Sequence, residues 1–95
     1  MDRINRKVVE DKDNLHRLIE IEWMDAYDES TEIDIKDMDI SGAKYTTSGY
    51  LMGTRDKHVI IGYNKEVPFK GVYKGHGVIP ESLITNVNIM DRNCR

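Results

Sequence analysis

The stretch that most constrains the fold of this chain is Thr46–Tyr63, which reads TTSGYLMGTRDKHVIIGY. Two runs of β-branched, aromatic and other apolar residues flank a polar break at Thr54–Lys57, which is the pattern of a β-hairpin. Arg-Asp is not the favoured pair for a tight two-residue turn. We therefore predict a four-residue loop built around a type I turn.

This hairpin has two apolar faces. Our predicted register pairs Gly53 with His58, and side chains alternate between the two faces of a strand. One face then carries Tyr50, Met52, Val59, Ile61 and Tyr63, and the other carries Leu51 and Ile60. Two apolar faces argue against a flat sheet with one wet side, and glycines within strands mark bends. We expect a strongly bent sheet that closes towards a small barrel.

Three further predicted strands complete the β pattern. In Leu15–Met24, apolar residues alternate with Glu20 and Glu22, which predicts a strand with Trp23 in the core. Val72–Ile79 is predicted as another strand and Thr85–Met90 as the last one. Between them, Ile79–Ile84 reads as one tight helical turn with proline at its first position. Asp25–Ala43 is predicted as a long loop.

The order of these elements is that of an SH3-like barrel. The predicted fold class is mainly β: a small, SH3-like (Sm-like), five-stranded barrel with a short helical turn before the last strand. We divide the chain into an N-terminal arm at 1–14, the barrel domain at 15–90 and a C-terminal tail at 91–95. Both ends are predicted to be loosely held, as chain termini commonly are.

The sequence also resembles a group of short phage- and prophage-encoded proteins of unknown function. The likeness rests on IEWMDA, the acidic loop, SGYLMGTRDKHVIIGY and GVIPESLITNVNIM, and it covers about residues 18–90. The shared motifs are glycines and prolines at bends and apolar residues at core positions. The resemblance implies an SH3-like fold and a phage-derived gene, and it supplies no catalytic residue.

Composition favours a cytoplasmic protein. The chain has 95 residues and a single cysteine, Cys94, which has no partner for an internal disulfide. No apolar run approaches the ~20 residues needed to span a bilayer. The N-terminal sequence is charged throughout and is not that of a signal peptide.

The motifs of common catalytic and metal sites are absent or incomplete. Asp37, Asp39, Ser41 and Gly42 have the early spacing of a calcium loop, but Ser48 stands where a bidentate glutamate is required. The histidines lack zinc-ligand spacing, and no phosphate-binding glycine loop is present. Ser48 and His58 fall five pairs apart on the predicted hairpin, too far to act together. We expect no enzyme activity and no cofactor.

Two charged segments are the candidate binding surfaces. The first interleaves cations with aromatic rings, as single-stranded nucleic-acid surfaces do. It consists of Lys65, Phe69, Lys70, Tyr73, Lys74 and His76. The second is acidic, because residues 20–39 carry a local charge of −8 within a net charge of −3. Its candidate residues are Asp25, Asp28, Glu29, Glu32, Asp34, Asp37 and Asp39.

The charge pattern leaves two functions open. Nucleic acid would avoid the acidic segment, whereas a protein partner, or a second copy of this chain, can use both charged loops. Strand edges of a small barrel also pair with other chains. We therefore predict a protein-interaction or assembly module, and single-stranded nucleic-acid binding through residues 65–76 is the alternative.

Overall fold

A computed structural model describes residues 1–25 and 43–91, which form one five-stranded antiparallel sheet and one helix. The strands are β1 (Leu18–Met24), β2 (Lys44–Arg55), β3 (His58–Lys65), β4 (Tyr73–Pro80) and β5 (Ile84–Ile89), in the order β4-β3-β2-β1-β5. Helix α1 spans Arg3–Glu10, and short 3₁₀ turns occupy Lys12–Asn14 and Glu81–Leu83. The mainly β prediction is confirmed. In the part of the chain that the structure describes, β4 and β5 do not pair, so the sheet does not close into a barrel.

The turn between β2 and β3 is tighter than predicted. Arg55 pairs directly with His58, which leaves a two-residue turn. Its residues, Asp56 and Lys57, have φ angles of 50° and 62°. Positive φ at both central positions is the requirement of a type I′ turn, whose twist matches that of the flanking strands. The predicted four-residue loop, and the pairing of Gly53 with His58, are therefore wrong.

A bulge in β2 also changes which side chains face the core. The register shifts between Leu51 and Gly53, so that Met52 is an extra residue on its strand. Leu51 consequently joins Val59 and Ile61 in the core, where all three are fully buried. Met52 is 42% exposed. The prediction that Leu51 lies on the face opposite Val59 and Ile61 is therefore wrong, and so is the predicted pairing of Met52 with Val59.

Strand β1 lies between β2 and β5, and its alternation is as predicted. Ile19 and Ile21 are fully buried, and burying each such side chain contributes about 1.5 to 3 kcal/mol. Trp23 is only half-buried at the margin of the core, where its Nε1 donates to Thr47 Oγ1 at 2.9 Å. The rest of the core comes from β3, β4, β5 and α1: Val59, Ile61, Ile79, Ile84, Val87 and Val9.

The N-terminal residues are packed, contrary to the predicted loose arm. The Asp2 carboxylate caps α1 by accepting from Asn5 N at 2.8 Å. Val9 is 2% exposed and Asn5 is 5% exposed, which makes α1 part of the folded unit. The tail also begins with a fixed residue, because Asp91 accepts from Arg17 Nε at 2.9 Å. Residues 92–95 lie outside the described part.

The turn before β5 is confirmed. Pro80 is the N-cap of the 3₁₀ turn Glu81–Leu83, where its fixed φ suits the start of a helical turn. Glu81 N donates to Lys57 O at 2.9 Å, which ties this turn to the β2–β3 hairpin.

Candidate interaction surfaces

Four aromatic rings pack together on the sheet face opposite the core. Phe69 lies 4.9 Å from His16 and 5.0 Å from Tyr73, centroid to centroid, and Tyr73 stacks on Tyr50 at 5.7 Å. Tyr73 Oη and His16 Nδ1 are 2.8 Å apart, within hydrogen-bonding distance. We call His16, Tyr50, Lys65, Phe69 and Tyr73 the aromatic cluster. It joins the β3–β4 loop to the segment before β1.

Lys65 provides the positive charge of the aromatic cluster. Its Nζ lies 5.0 Å from the ring centre of Tyr50 and 5.1 Å from that of Phe69, which is cation–π geometry. The same ammonium approaches the His16 carbonyl at 3.5 Å. Because this charge already has three partners inside the cluster, it is less available to a phosphate than a freely solvated lysine would be.

A glycine makes room for the cluster. A Cβ at Gly62 would overlap the ring of Tyr73, so the ring lies where any other residue would have a side chain. Burial, and then the neighbouring Tyr50, raise the pKa of the Tyr73 phenol above its usual value of 10.0. Tyr73 therefore stays neutral over the physiological range, as a packing group and hydrogen-bond partner.

The structure divides the predicted basic surface. Lys65, Phe69 and Tyr73 meet in the aromatic cluster, while Lys70 forms an exposed ion pair with Glu66 at 3.7 Å. Lys74 and His76 lie along β4. His16 and Tyr50 are members of the cluster that the sequence analysis missed, because only the fold brings residues 16, 50 and 65–73 together.

Most of the predicted acidic surface lies outside the described residues. Asp25 is described and exposed, and its N–H donates to Ala43 O at 2.9 Å across the base of the loop. The remaining acidic candidates lie outside the described part: Asp28, Glu29, Glu32, Asp34, Asp37 and Asp39. The calcium-like spacing at residues 37–42 lies there as well.

One edge of the sheet, β5, is covered by α1. Asn5 Oδ1 accepts from Val87 N at 2.9 Å, and Asn5 Nδ2 donates to Thr85 O at 3.4 Å. A buried asparagine amide thus supplies one acceptor and one donor, which are the groups that a neighbouring strand would present. These contacts occupy two outward backbone groups of β5, the Val87 N–H and the Thr85 carbonyl.

Two contacts hold α1 in this position. The N-terminal ammonium of Met1 donates to Glu81 O at 3.1 Å, and Arg6 Nη1 donates to Glu81 Oε2 at 2.8 Å. The carboxylate of Glu81 raises the pKa of Arg6 above its already high value. The helix is therefore fixed both to β5 and to the 3₁₀ turn that precedes it.

The other edge strand is β4. The tight turn between β2 and β3 determines which of its backbone N–H and C=O groups point towards β3 and which point away from the sheet. In a two-residue hairpin the residues that flank the turn, Arg55 and His58, form a hydrogen-bonded pair. Alternate residues of an antiparallel strand direct their N–H and C=O groups to opposite sides. The backbone N–H and C=O groups of Val59 therefore point towards β4, where Val59 pairs with Ile79.

The same alternation sets which β4 groups point away from the sheet. His76 and Val78 direct their backbone N–H and C=O groups outwards. The Lys74 carbonyl accepts from Asn64 Nδ2 of β3 at 3.0 Å, and within residues 1–25 and 43–91 the outward groups of His76 and Val78 have no hydrogen-bond partner. Pro80 has no N–H and ends this run. We call the outward side of Tyr73–Pro80 the open edge.

Apolar side chains flank the open edge on both faces of the sheet. On the face opposite the core, Val78 is 50% exposed and pairs with Ile60. On the core face, the ring of Tyr63 covers Gly77 and approaches Gly75, whose φ of +85° also favours glycine. Tyr63 itself is 45% exposed. A strand added beside β4 would therefore contact apolar groups above and below the sheet.

A third feature is a cleft at the opposite end of the sheet. It has a volume of about 270 Å³ and is lined by the stacked rings of Trp23 and Tyr45, whose centroids are 4.8 Å apart. Trp23 and Tyr45 lie at the base of the acidic loop. In the described ranges no three His, Cys, Asp or Glu side chains are grouped to hold a metal ion. Those ranges also contain no helix that is long and apolar enough to cross a membrane.

Comparison of this chain with protein-family models, with curated proteins and with solved structures finds no match.

Proposed function

We propose that this protein is a non-enzymatic protein-interaction or assembly module that binds its partner by strand addition at the open edge of β4. The observation that carries the proposal is the outward backbone of His76 and Val78. An exposed row of N–H and C=O groups is a template for pairing with another chain, and natural proteins usually cover or blunt such rows. This chain covers β5 with Asn5 and leaves β4 uncovered in the described residues.

The SH3-like assignment belongs to the same proposal. The strand order β4-β3-β2-β1-β5, with a 3₁₀ turn directly before the last strand, supports it. The bulge at Met52 bends β2, as a strand shared between two halves of a small barrel must bend. A phage-derived gene and a cytoplasmic setting are part of this proposal and rest on the sequence alone.

The test is a comparison of two proline variants as bait proteins. Val78→Pro removes an outward N–H without removing a bond to β3, because Val78 directs its backbone away from the sheet. Val72→Pro is the matched control, since Val72 is 70% exposed and lies just before β4. Circular dichroism first checks that both variants are folded.

The readouts are light scattering of the pure protein and affinity capture from host or phage lysate. We expect the wild type and Val72→Pro either to self-associate or to retain the same partner, and Val78→Pro to lose that association. A wild-type protein that is monomeric at high concentration, and that retains nothing sensitive to Val78→Pro, would contradict the proposal.

Single-stranded nucleic-acid binding at the aromatic cluster is the second candidate. The convergence of Lys65, Phe69 and Tyr73 favours it. The rings, however, pack against one another, and this leaves fewer ring faces on which bases can stack. Fluorescence anisotropy with single-stranded oligonucleotides at low salt tests this function, and an absence of binding there eliminates it.

A further inference from the structure

The side chains near the open edge differ in charge from the rest of the surface. Residues 67–80 contain Lys70, Lys74 and His76 and no acidic residue. Lys70 is paired with Glu66, whereas Lys74 and His76 are exposed and form no salt bridge with another described residue. The open edge therefore presents positive charge beside unpaired backbone groups.

The two faces next to the open edge also differ from each other. His76 pairs with Gly62 and lies on the face opposite the core, together with Val78. The core face carries no side chain from Gly75 or Gly77, and the ring of Tyr63 occupies that space. Because the side chains of an added strand alternate between faces, one set would meet His76 and the other would meet Tyr63.

We propose that the open edge selects an extended partner segment in which acidic and apolar residues alternate. This inference rests on the proposed function, and it adds the chemistry of the partner. Carboxylates on one face of the added strand would pair with His76 and Lys74, and apolar side chains on the other face would cover Tyr63. The main-chain hydrogen bonds supply the binding, and these contacts supply the choice of partner.

A stretch of this chain contains two short runs of the required alternation and provides a probe. Residues 31–40 read TEIDIKDMDI, in which 32–35 and 37–40 each alternate acidic and apolar residues. Lys36 separates the two runs, so in an extended strand their carboxylates lie on opposite faces and either run can supply the proposed contacts. A labelled peptide of this sequence is compared with TQINIKNMNI, in which every carboxylate is replaced by its amide. The two peptides share length and apolar content and differ in charge.

Fluorescence anisotropy then measures binding of both peptides to the full chain. We expect the acidic peptide to bind about fivefold to tenfold more tightly than the amide peptide, since each exposed charge pair adds about twofold to fivefold. Lys74→Gln should weaken binding of the acidic peptide and leave binding of the amide peptide unchanged. Lys70→Gln is the matched control and should change little, because Lys70 is paired with Glu66.

Val78→Pro should abolish binding of both peptides, and His76→Pro provides a second edge variant if the first does not fold. Equal affinity for the two peptides would overturn the charge selection and leave strand addition intact. Binding that survives both proline variants, or an absence of binding by the acidic peptide, would overturn the inference. The capture experiment with Val78→Pro tests the proposed function separately.

Discussion

The two edges of the sheet are treated differently by the same chain. At β5, the amide of Asn5 bonds to Val87 and Thr85, and α1 covers the strand. At β4, the outward backbone of His76 and Val78 has no partner within the described residues. Both edges are short and both carry valines, so strand composition does not explain the difference. Among residues 1–25 and 43–91, the difference comes from α1, which contacts β5 and not β4.

The two edge strands also contribute differently to the hydrophobic core. β5 closes the hydrophobic core, with Val87 and Ile84 at 6% and 4% exposure, and the buried N–H of Val87 needs the acceptor that Asn5 supplies. β4 contributes Ile79 to that core, and its outer backbone has no partner strand in the part of the chain that the structure describes. A strand that is stable without an outer partner is suited to receive one.

The largest expected effect comes from uncovering β5. Asn5→Ala removes two hydrogen bonds and leaves the N–H of Val87 buried without a partner, so we expect a loss of about 2 to 3 kcal/mol in the free energy of unfolding. Asn64→Ala is the control on the other edge. The Asn64 amide donates to an exposed carbonyl of β4, and its removal should cost less than about 0.5 kcal/mol. Urea denaturation measures both, and equal losses would erase the distinction between the edges.

The second prediction compares two valine-to-alanine substitutions, which remove the same atoms from β5 and from β4. Val87→Ala should destabilise the protein by about 1.5 to 2 kcal/mol, since two buried methyl groups are lost and a cavity is left. Val78→Ala, at a position that is 50% exposed, should change stability by less than about 0.5 kcal/mol. The same denaturation series reports both values. A large loss for Val78→Ala would mean that β4 is covered.

A third prediction concerns what holds β4 in the absence of an outer partner. Gly62→Ala places a methyl group where the Tyr73 ring lies, and we expect a loss of about 1 kcal/mol from overpacking at the start of the strand. In a Tyr73→Ala background the same glycine substitution should have almost no effect, because the clash is gone. An additive double-mutant cycle would show that Tyr73 does not anchor β4 through Gly62.

The smallest expected effect is a pH dependence at the start of β4. The raised pKa of Tyr73 means that the folded state favours the neutral phenol. Its contribution is therefore complete below the ordinary tyrosine pKa of about 10 and is lost as pH rises through the higher, folded value. Urea denaturation across this range should show a smaller decline for Tyr73→Phe than for the wild type. An identical decline would assign the effect to other groups.

Sequence patterns predicted the strands that obey simple alternation. Ile19 and Ile21 in β1, the 3₁₀ turn after Pro80 and the mainly β class all follow from local spacing. Helix α1 also had a local signal, because Asp2 is a suitable N-cap and Val8 and Val9 follow Ile4 and Asn5 at a spacing of four. Its short length and high charge obscured that signal.

The remaining errors have non-local causes. The extra residue at Met52 changes which β2 side chains point towards the core. The alternation of apolar and polar residues cannot reveal where such a bulge occurs. The pairing of Asn5 with Val87 spans 82 positions, and the aromatic cluster combines residues from three segments. Such contacts exist only once the sheet has formed. The predicted six-residue basic surface was accordingly divided between the cluster and β4.

Amide hydrogen exchange in dilute protein tests the difference between the edges most directly. We predict that the amides of His76 and Val78 exchange at least about tenfold faster than those of Gly77 and Ile79, which point towards β3, and that Val87 is protected by Asn5. Protection of His76 and Val78 equal to that of Gly77 and Ile79 would show that β4 is already covered. The open edge, and the function proposed for it, would then be wrong.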